Sequence, residues 1–200
     1  MFTGIVSDLG TLKSVKAGKN LNRLRIESRY PAKSIALGAS IMVDGICLTV
    51  VARGARDRGS WFEVEAGAET LRLTTAGHWK SGQKLNLERS LKMGAELGGH
   101  LVSGHVDGLA KIVARKDVNG MADFRLRAPK ALARFIAAKG SVALNGTSLT
   151  VNEVNGDEFS VFLIPHTLKV THWKDAKAGD EVNLEVDLMA RYAARLAERA

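Results

Sequence analysis

The 200-residue chain has the composition of an ordinary globular protein, with 46% hydrophobic and 25% charged residues, and its length allows two domains. No apolar run could cross a bilayer, the first residues lack the features of a signal peptide, and the single cysteine excludes a disulfide within the chain. The net charge of +8 is scattered, without basic runs or interleaved aromatic side chains. We therefore expect a cytoplasmic protein with no membrane association and no nucleic-acid partner.

The second half of the sequence repeats the first. Residues 102–106 match residues 2–6, with a hydroxyl residue and a glycine in the same places. Three further pairs of blocks follow in the same order, at separations of 97 to 101 residues: 44–50 with 145–151, 69–74 with 166–171, and 82–88 with 179–185. Four matched pairs in one order predict two homologous halves, residues 1–97 and 98–186, followed by a tail of residues 187–200.

Short runs that alternate apolar and polar residues dominate both halves, which is typical of half-buried antiparallel strands. In the first half they lie at 10–15, 22–26, 40–43, 48–51, 61–64 and 84–88, and in the second at 108–113, 123–126, 141–144, 149–151, 159–162 and 181–185. Six strands that close on themselves would leave no exposed sheet edge. We therefore predict an all-β fold of two homologous six-stranded β-barrels in tandem plus a C-terminal helix.

One further helix is predicted in each half. Pro31 and Pro129 suit a first helical turn, and good helix formers continue over 131–138 in the second copy. Gly38 and Gly140 mark the ends of these helices.

The tail has no counterpart after the first half. Asp187 can cap a helix, and Arg195 and Arg199 suit its C-terminal end. One face of that helix is apolar and contains Leu188, Met189, Tyr192, Ala193 and Leu196. The helix either packs on its own barrel or joins copies of the chain, and the sequence favours neither interpretation.

The candidate reactive residues form no metal site and match no nucleotide or hydrolase motif. His100 and His105 are five residues apart, which fits neither one face of a strand nor the i, i+4 spacing of a helical metal pair. No Gly-rich phosphate loop is present, and the residues around Ser148 lack the glycines of a nucleophile elbow. We therefore expect no metal ion.

Two hairpin turns are followed by strands with small polar side chains. Asp44-Gly45 and Asn145-Gly146 are strong hairpin signals. Small side chains and backbone amides after these turns suit a flat, polar, uncharged heterocycle. The two copies differ at reactive positions, where Ile5, Asp44, Cys47 and Glu69 become His105, Asn145, Ser148 and His166. Two like pockets with unlike groups would hold two copies of one molecule and treat them differently.

Four segments carry a resemblance to a known family: Met-Phe-Thr-Gly-Ile-Val from Met1, Gly-Gly-His-Leu-Val-Ser-Gly-His-Val from Gly98, Asn-Gly-Thr-Ser-Leu-Thr-Val from Asn145 and Ile-Pro-His-Thr from Ile164. Over essentially its whole length the sequence resembles riboflavin synthase of the alpha-chain type. The resemblance implies Greek-key barrels, a homotrimer assembled through the C-terminal helices, active sites between subunits, and an association with lumazine synthase. It implies that two molecules of 6,7-dimethyl-8-ribityllumazine exchange a four-carbon unit, without a cofactor, to give riboflavin and 5-amino-6-ribitylamino-uracil.

The resemblance also implies which residues form two substrate pockets. The N-terminal pocket would use Gly4, Ile5, Val6, Cys47, Leu48, Thr49, Glu65, Ala66, Gly67, Ala68, Glu69 and Thr70. The C-terminal pocket would use Gly104, His105, Val106, Lys139, Ser148, Leu149, Thr150, Phe162, Leu163, Ile164, Pro165, His166 and Thr167. Ser40, His100 and Asp187 are nearby candidates, and Asp187 keeps equal weight as a helix cap. Two departures from the family are Gly67-Ala68, where many members carry bulkier residues, and Asn145, which excludes an essential carboxylate there.

The catalytic candidates are His105, Ser148, Thr150, Cys47, Phe2 and Asp187. We expect His105 and Ser148 to activate one lumazine, and Phe2 and Thr3 of a neighbouring subunit to close the N-terminal pocket over the other. Cys47 should line its pocket without a covalent step, because no partner that would lower the pKa of its thiol is evident. The alternative function is a non-catalytic lumazine- or flavin-binding antenna, which needs one pocket only. Both pockets survive, which favours the enzyme.

Overall fold

The computed structural model describes residues 1–198 and contains two closed β-barrels in tandem. The first barrel consists of β1 (Asp8–Ala17), β2 (Leu21–Ser28), β3 (Ser40–Val43), β4 (Ile46–Ala55), β5 (Ser60–Gly67) and β6 (Lys84–Arg89). The second consists of β7 (Gly108–Val118), β8 (Met121–Arg127), β9 (Ser141–Leu144), β10 (Thr147–Asn155), β11 (Glu158–Leu163) and β12 (Glu181–Val186). Every predicted strand is therefore confirmed, and each is at least as long as predicted.

Both barrels have the same topology. The strand order is β1-β2-β5-β4-β3-β6 in the first and, in the equivalent order, β7-β8-β11-β10-β9-β12 in the second, with the last strand closing on the first. β2 lies beside β5 rather than β3, so the chain from β2 to β3 must cross over β4 and β5. This long connection makes the Greek key that the resemblance implies. Closure leaves the barrels without a free sheet edge.

Each barrel has its own apolar core, because alternate residues of every strand point inward. Leu24 and Phe62 of the first barrel have no exposed surface. In the second barrel, Phe124 and Trp173 pack edge to face with ring centroids 5.0 Å apart. Since a fully buried large apolar side chain stabilises a fold by about 1.5–3 kcal/mol, these inward rows hold each barrel closed.

The helical segments differ from the prediction of one helix in each half. The structure has α1 (Ala68–Leu73), α2 (Lys130–Ala133) and α3 (Pro165–Val170), with a short 3-10 turn at Ala32–Ser34. The prediction of a helix over 131–138 is wrong in length. After Ala133 the backbone bonds shorten to i→i+3, from Phe135 to Leu132 and from Ile136 to Ala133, at 3.0 and 3.1 Å. Ile136 turns into the core of the second barrel, so tertiary burial outweighs helix propensity here.

The two barrels are joined by two short stretches, residues 2–4 and 102–104, which we call the crossing segments. Phe2 and Val102 pair as an antiparallel bridge, with N–O distances of 2.7 and 3.1 Å. Both side chains are fully buried and cluster with Met42 of the first barrel and Ala143 of the second. The first residues of the chain are therefore part of the contact between the barrels.

The two predicted hairpin turns form a second contact between the barrels. A Cβ atom added to Gly45 would lie 2.9 Å from the backbone nitrogen of Gly146, so only glycine fits this approach. The side-chain amide of Asn86 donates to the carbonyl of Asn145 at 2.9 Å, and that of Asn183 donates to the carbonyl of Asp44 at 2.7 Å. The hairpins are confirmed, and they also hold one barrel against the other.

The tail forms helix α4 (Leu188–Ala197). Asp187 caps it, because its Oδ1 accepts a hydrogen bond from the backbone N–H of Met189 at 2.9 Å. Arg191 ties the helix to the second barrel through Asp107, with Nη2 and Oδ1 2.5 Å apart. Arg199 lies outside the described residues.

The apolar face of α4 is not covered by the barrels. Met189, Tyr192 and Leu196 are 71%, 63% and 71% exposed. The helix thus contacts the second half of the chain through Arg191 and through an ion pair of Glu198, at its end, with Arg134, while these three apolar side chains point away from the protein. Within residues 1–198 no helix is long and apolar enough to cross a membrane.

Candidate active site

The outer sides of two equivalent hairpins form matched polar surfaces, which we call face A and face B. Face A, on β3 and β4, carries Ser40, Cys47 and Thr49, and Ser40 is paired with Thr49. Face B, on β9 and β10, carries Ser141, Ser148 and Thr150, and Ser141 is paired with Thr150. Strand alternation brings these side chains out of each barrel. Ser141 was missed by the sequence analysis, although it is the counterpart of Ser40.

The pairing of neighbouring strands extends each face by one residue. Val50 pairs with Val64, which brings Glu65 beside Thr49 on face A. Val151 pairs with Val161, which brings the exposed Phe162 beside Thr150 on face B. The faces therefore differ at this equivalent position, because face A ends in a carboxylate and face B in an aromatic ring.

The crossing segments exchange barrels, so each face is covered by the other half of the chain. The carbonyl of Gly104 accepts a hydrogen bond from the Cys47 N–H at 2.7 Å, and the carbonyl of Gly4 accepts one from the Ser148 N–H at 2.8 Å. A Cβ atom on either glycine would lie 2.6 Å from the Cβ atom of Cys47 or Ser148. Both positions therefore require glycine, and this close approach explains why both copies carry one.

This exchange corrects the grouping expected from the sequence. Gly4 belongs to face B rather than to the pocket of Cys47, and Gly104 belongs to face A. Val106 packs against the core of the first barrel, in agreement with the exchange. Ile5 and His105, which follow the two glycines, are both exposed, and Val6 is half-buried.

The expected role of Phe2 also needs correction. Phe2 is completely buried in the bridge to Val102, and Thr3 is 5% exposed. Both residues are held within their own chain, so neither reaches a neighbouring subunit to close a pocket. The physical reason is that Phe2 supplies the largest side chain of the apolar cluster between the barrels.

His100 and Ser148 form a dyad on face B. His100 Nδ1 and Ser148 Oγ lie 2.7 Å apart, and the backbone N–H of His100 donates to the carbonyl of Thr3 at 3.1 Å. The Nε2 atom of His100 is buried and has no hydrogen-bond partner within residues 1–198. Burial lowers the pKa of His100 below its ordinary value of 6.5, and the charge of Asp187 opposes this shift. The imidazole is therefore neutral at neutral pH and able to accept a proton.

The structure does not place His105 beside Ser148 as expected. His105 is exposed, and its backbone N–H donates to Ser103 Oγ at 3.3 Å. Asp187 caps α4, as expected, and its charge raises the pKa of His100, while its catalytic role stays a prediction.

Lys139 has an unusual backbone conformation next to face B. Its φ is 66°, in the left-handed region, and its N–H donates to the carbonyl of Val151 at 2.7 Å. The equivalent residue near face A is Gly38, with φ of 79° and a matching bond to Val50 at 2.8 Å. The end of the predicted helix in the second copy is thus marked by Lys139 rather than Gly140. A lysine held in this conformation carries strain, and such strain concentrates at functional sites.

Four of the expected binding residues point into the barrels. Leu48, Ala66, Leu149 and Leu163 are at most 8% exposed and belong to the two cores. Alternation along the strands turns these side chains inward while their neighbours line the faces. They support the faces and are not available to a ligand.

The remaining expected binding residues lie where the fifth strand of each barrel leads into α1 or α3. Glu65 is paired with Arg23 through Oε1 and Nη2 at 2.5 Å, and Glu69 with Arg72 at 2.6 Å. Gly67 and Thr70 are half-buried and Ala68 is exposed; on the other side Ile164, Pro165 and His166 are exposed and Thr167 is half-buried. These segments border the faces with accessible side chains, as expected for the wall of a pocket.

A cavity of about 710 Å³ lies against the first barrel, under the connector that follows β6. Ile5, Ser40 and Arg89 are among its lining residues. Its volume falls within the range of small-molecule sites, so the side of the first barrel that includes Ser40 has room for a bicyclic ring.

Two buried carboxylates that the sequence analysis missed hold the crossing segments. Glu88 accepts hydrogen bonds from Thr3 N, Thr3 Oγ1 and Gly4 N at 2.7, 2.8 and 2.9 Å. Glu185 accepts the same three from Ser103 N, Ser103 Oγ and Gly104 N at 2.7, 2.6 and 2.9 Å. Burial raises the pKa of both carboxyl groups above 4.5, although these hydrogen bonds act in the opposite direction. The signal was the identical glutamate that ends both matched blocks, 82–88 and 179–185.

The chain is similar to known proteins over nearly its whole length. Residues 3–90 and 103–187 each match the lumazine binding domain family. The chain is 60% identical over 201 residues to riboflavin synthase of Brucella abortus (strain 2308), covering 99% of this chain and 98% of the other. It is 36% identical over 197 residues to riboflavin synthase of Photobacterium phosphoreum, covering 98% and 88%.

A solved structure has the same fold over nearly the whole chain. The crystal structure of LumP complexed with riboflavin superimposes with a TM-score of 0.81 at 26% identity, covering 93% of this chain and 99% of the other. The duplicated domain match, the relatives and the two barrels agree from end to end. The chain belongs to the riboflavin synthase family.

Proposed function

We propose that the protein is a riboflavin synthase that converts two molecules of 6,7-dimethyl-8-ribityllumazine into riboflavin and 5-amino-6-ribitylamino-uracil. The observation that carries this proposal is the pair of like faces with unlike reactive groups, Cys47 on one and the His100–Ser148 dyad on the other. A dismutation needs two sites for one substrate and a difference between them. Relatives that share the whole length support the same activity.

The reaction balances between two identical heterocycles and needs no external oxidant or cofactor. One lumazine loses a proton from its C7 methyl group and becomes a carbanion delocalised into the ring. The carbanion adds to the other molecule, and transfer of the four-carbon unit leaves one riboflavin and one diaminouracil. Positioning two reactants in contact supplies roughly 7–11 kcal/mol of such a bimolecular barrier.

The dyad on face B is suited to the proton transfer. The neutral imidazole of His100 accepts a proton through Ser148, and the carboxylate of Asp187 stabilises the imidazolium that results. Thr150 and Lys139 border the same face and offer a hydroxyl and a positive charge to the ring oxygens and nitrogens. We therefore assign the general base to His100 with Ser148, in place of His105 with Ser148.

The two reacting rings meet between subunits in this proposal. Within one chain the buried bridge of Phe2 and Val102 clusters with Met42 and Ala143, the strand partners of Cys47 and Ser148. Face A and face B of one chain are thus separated by packed side chains. Face A of one subunit would stack its ligand against that on face B of a neighbour, in a homotrimer that α4 holds together through its uncovered apolar face.

An antenna protein that binds lumazine or flavin is the second candidate, because LumP has this fold and its crystal structure contains riboflavin. Both faces of the present chain keep polar and reactive side chains, and face B has a dyad with a base. A protein that only binds a chromophore needs neither the second face nor the base. We therefore favour the enzyme.

Three further parts of the proposal rest on the composition of the sequence, on its internal repeat and on the resemblance. We place the protein in the cytoplasm and assign residues 1–97, 98–186 and 187–200 to an N-terminal barrel domain, a C-terminal barrel domain and an oligomerisation helix. Association with lumazine synthase would bring the enzyme its substrate.

The decisive experiment incubates the purified protein with 6,7-dimethyl-8-ribityllumazine as the only substrate and follows riboflavin absorbance. We expect riboflavin and the diaminouracil in equal amounts. His100→Ala and Ser148→Ala should each lower kcat by about 10²–10⁴-fold, the usual contribution of a positioned acid–base group. The control His78→Ala removes an exposed histidine outside the faces and should leave kcat unchanged. Tight binding of the lumazine without any riboflavin would support the antenna instead.

A further inference from the structure

Glu88 and Glu185 each belong to one barrel but hold the backbone that covers the face of the other barrel. Glu88 lies on β6 of the first barrel and is 5% exposed, and Glu185 lies on β12 of the second barrel and is 2% exposed. Each carboxylate binds a hydroxyl residue and the following glycine of a crossing segment. Buried carboxylates are costly to retain unless their hydrogen bonds are complete, so their presence at both equivalent positions calls for an explanation.

Glu88 controls both members of the dyad through two residues. Its Oε1 binds the N–H and hydroxyl of Thr3, and its Oε2 binds the N–H of Gly4. The carbonyl of Thr3 then accepts from the His100 N–H at 3.1 Å, and the carbonyl of Gly4 accepts from the Ser148 N–H at 2.8 Å. A single carboxylate of the first barrel therefore fixes the backbone to which both His100 and Ser148 are bonded.

Glu185 has the equivalent connection to face A. Its Oε1 binds the N–H and hydroxyl of Ser103, and its Oε2 binds the N–H of Gly104. The carbonyl of Gly104 accepts from the Cys47 N–H at 2.7 Å. A carboxylate of the second barrel thus fixes the backbone against the thiol of the first.

We propose that Glu88 and Glu185 are positioning residues that act crosswise, Glu88 on the His100–Ser148 dyad of face B and Glu185 on Cys47 of face A. Neither touches the substrate; each sets the geometry of the opposite face through the crossing segment. The effect of these two glutamates on turnover rests on the proposed function, but their crosswise connection to the two faces does not.

Substitution by glutamine separates this role from a general loss of packing. Glutamine has nearly the same shape, and its Oε1 can still accept both hydrogen bonds from the hydroxyl residue. Its NH₂ group, however, meets the N–H of Gly4 or Gly104, so two donors face each other where an acceptor is needed. The change removes the anchor of the glycine and leaves the volume of the side chain in place.

Two local reporters distinguish the faces. Cys47 is the only cysteine of the chain, so its alkylation by iodoacetamide reports on face A alone. The imidazole resonances of His100, assigned in protein labelled with ¹⁵N-histidine by comparison with His100→Gln, report on face B. We expect Glu185→Gln to speed Cys47 alkylation about tenfold, the value of one charge-assisted hydrogen bond, without moving the His100 resonances. Glu88→Gln should shift the His100 resonances and leave the alkylation rate within about twofold.

Removal of the hydroxyl group breaks the hydrogen bond to the glutamate that a glutamine variant keeps, and it loosens the same crossing segment at the neighbouring residue, which gives a second pair of variants. Ser103→Ala should reproduce the effect of Glu185→Gln, and Thr3→Val that of Glu88→Gln. Ser103→Thr and Thr3→Ser exchange the hydroxyl residues of the two copies and serve as matched controls that keep each reporter at its native value. These milder variants decide the matter where a glutamine variant does not fold, as judged by circular dichroism.

Turnover is measured separately from the reporters. Each glutamine variant should lower kcat at least tenfold while KM changes less, because the substrate contacts remain and their alignment is lost. Reporters that respond on the same barrel as the substituted glutamate, or on both faces equally, would overturn the crosswise role. A native protein that makes no riboflavin would refute the proposed function, yet the thiol and imidazole measurements would still decide the present proposal.

Discussion

Replacement of Lys139 by glycine is expected to stabilise the protein and to weaken its activity. Lys139 is held at a φ of 66°, where Gly38 of the first half has 79°. A residue with a Cβ atom in the left-handed region costs about 1–2 kcal/mol relative to glycine. Glycine also gives the unfolded chain more conformational entropy, which lowers the free energy of unfolding by about 0.5–1 kcal/mol. The net gain in the free energy of unfolding for Lys139→Gly is therefore about 0–1.5 kcal/mol.

The loss of activity follows from the position of Lys139 beside face B. Its N–H bonds Val151, the residue after Thr150, so the side chain begins next to the proposed substrate site. Lys139→Gly keeps this backbone bond and removes the whole side chain, including the ammonium group. We expect weaker binding of the lumazine, by about tenfold for one lost hydrogen bond to a charged group.

Urea unfolding and fluorescence titration with the lumazine check both effects in one set of samples. Asn119→Gly is the matched control, because Asn119 also has a positive φ, of 50°, but lies in the turn between β7 and β8. It should change stability by less than Lys139→Gly, since asparagine tolerates this region, and should not change binding. A less stable Lys139→Gly variant would refute the strain argument, and unchanged binding would show that the ammonium group is not used.

Three further predictions concern other contacts. Burial acts to lower the pKa of His172, but Asp44 raises it above 6.5, so the pair stabilises the contact between the barrels most fully below pH 6.5 and loses this effect as pH rises through the raised pKa. The difference in unfolding free energy between the native protein and Asp44→Asn, measured by urea unfolding, should therefore shrink with rising pH. A difference that grows with pH would contradict this prediction. Arg115→Lys should cost about 2 kcal/mol of unfolding free energy, because Arg115 Nη1 donates to the carbonyls of Lys174 and Ala176 at 2.8 and 2.7 Å, and an unchanged urea midpoint would exclude this. Tyr192→Glu should yield monomers with folded barrels in sedimentation velocity, whereas an intact oligomer would show that α4 does not hold the subunits together.

The barrels could be predicted from sequence because their signals are local. Strands alternate apolar and polar residues, and pairs such as Asp44-Gly45 mark the hairpins. Because the blocks are duplicated, each strand signal occurs in both halves, and the two copies support each other. Helix propensity was a poorer guide, because Ile136 turns into the core and ends α2 early.

The candidate site was predicted only in part, because its central contacts join residues that are far apart in the sequence. Cys47, Ser148 and Thr150 were found from their place after the turns. The exchange of the crossing segments was not, because comparing two copies shows which residues correspond and not which ones touch. His100 lies in the connector outside the matched blocks, so its contact with Ser148 appears only in three dimensions. Lys139 could have been paired with Gly38 at the offset of the neighbouring block.

The exchange of crossing segments limits which residues can differ between the two copies of the domain. If each half built its own face, a change in one half would alter one face only. Here Gly4 covers Ser148 and Gly104 covers Cys47, so each face depends on both halves. The shared parts, the glycines and the buried glutamates, must stay alike in both copies, because they hold the two barrels in register. Only side chains that point away from these shared residues are free to differ. At such positions the thiol of the first copy corresponds to a hydroxyl in the second, and a glycine corresponds to a lysine.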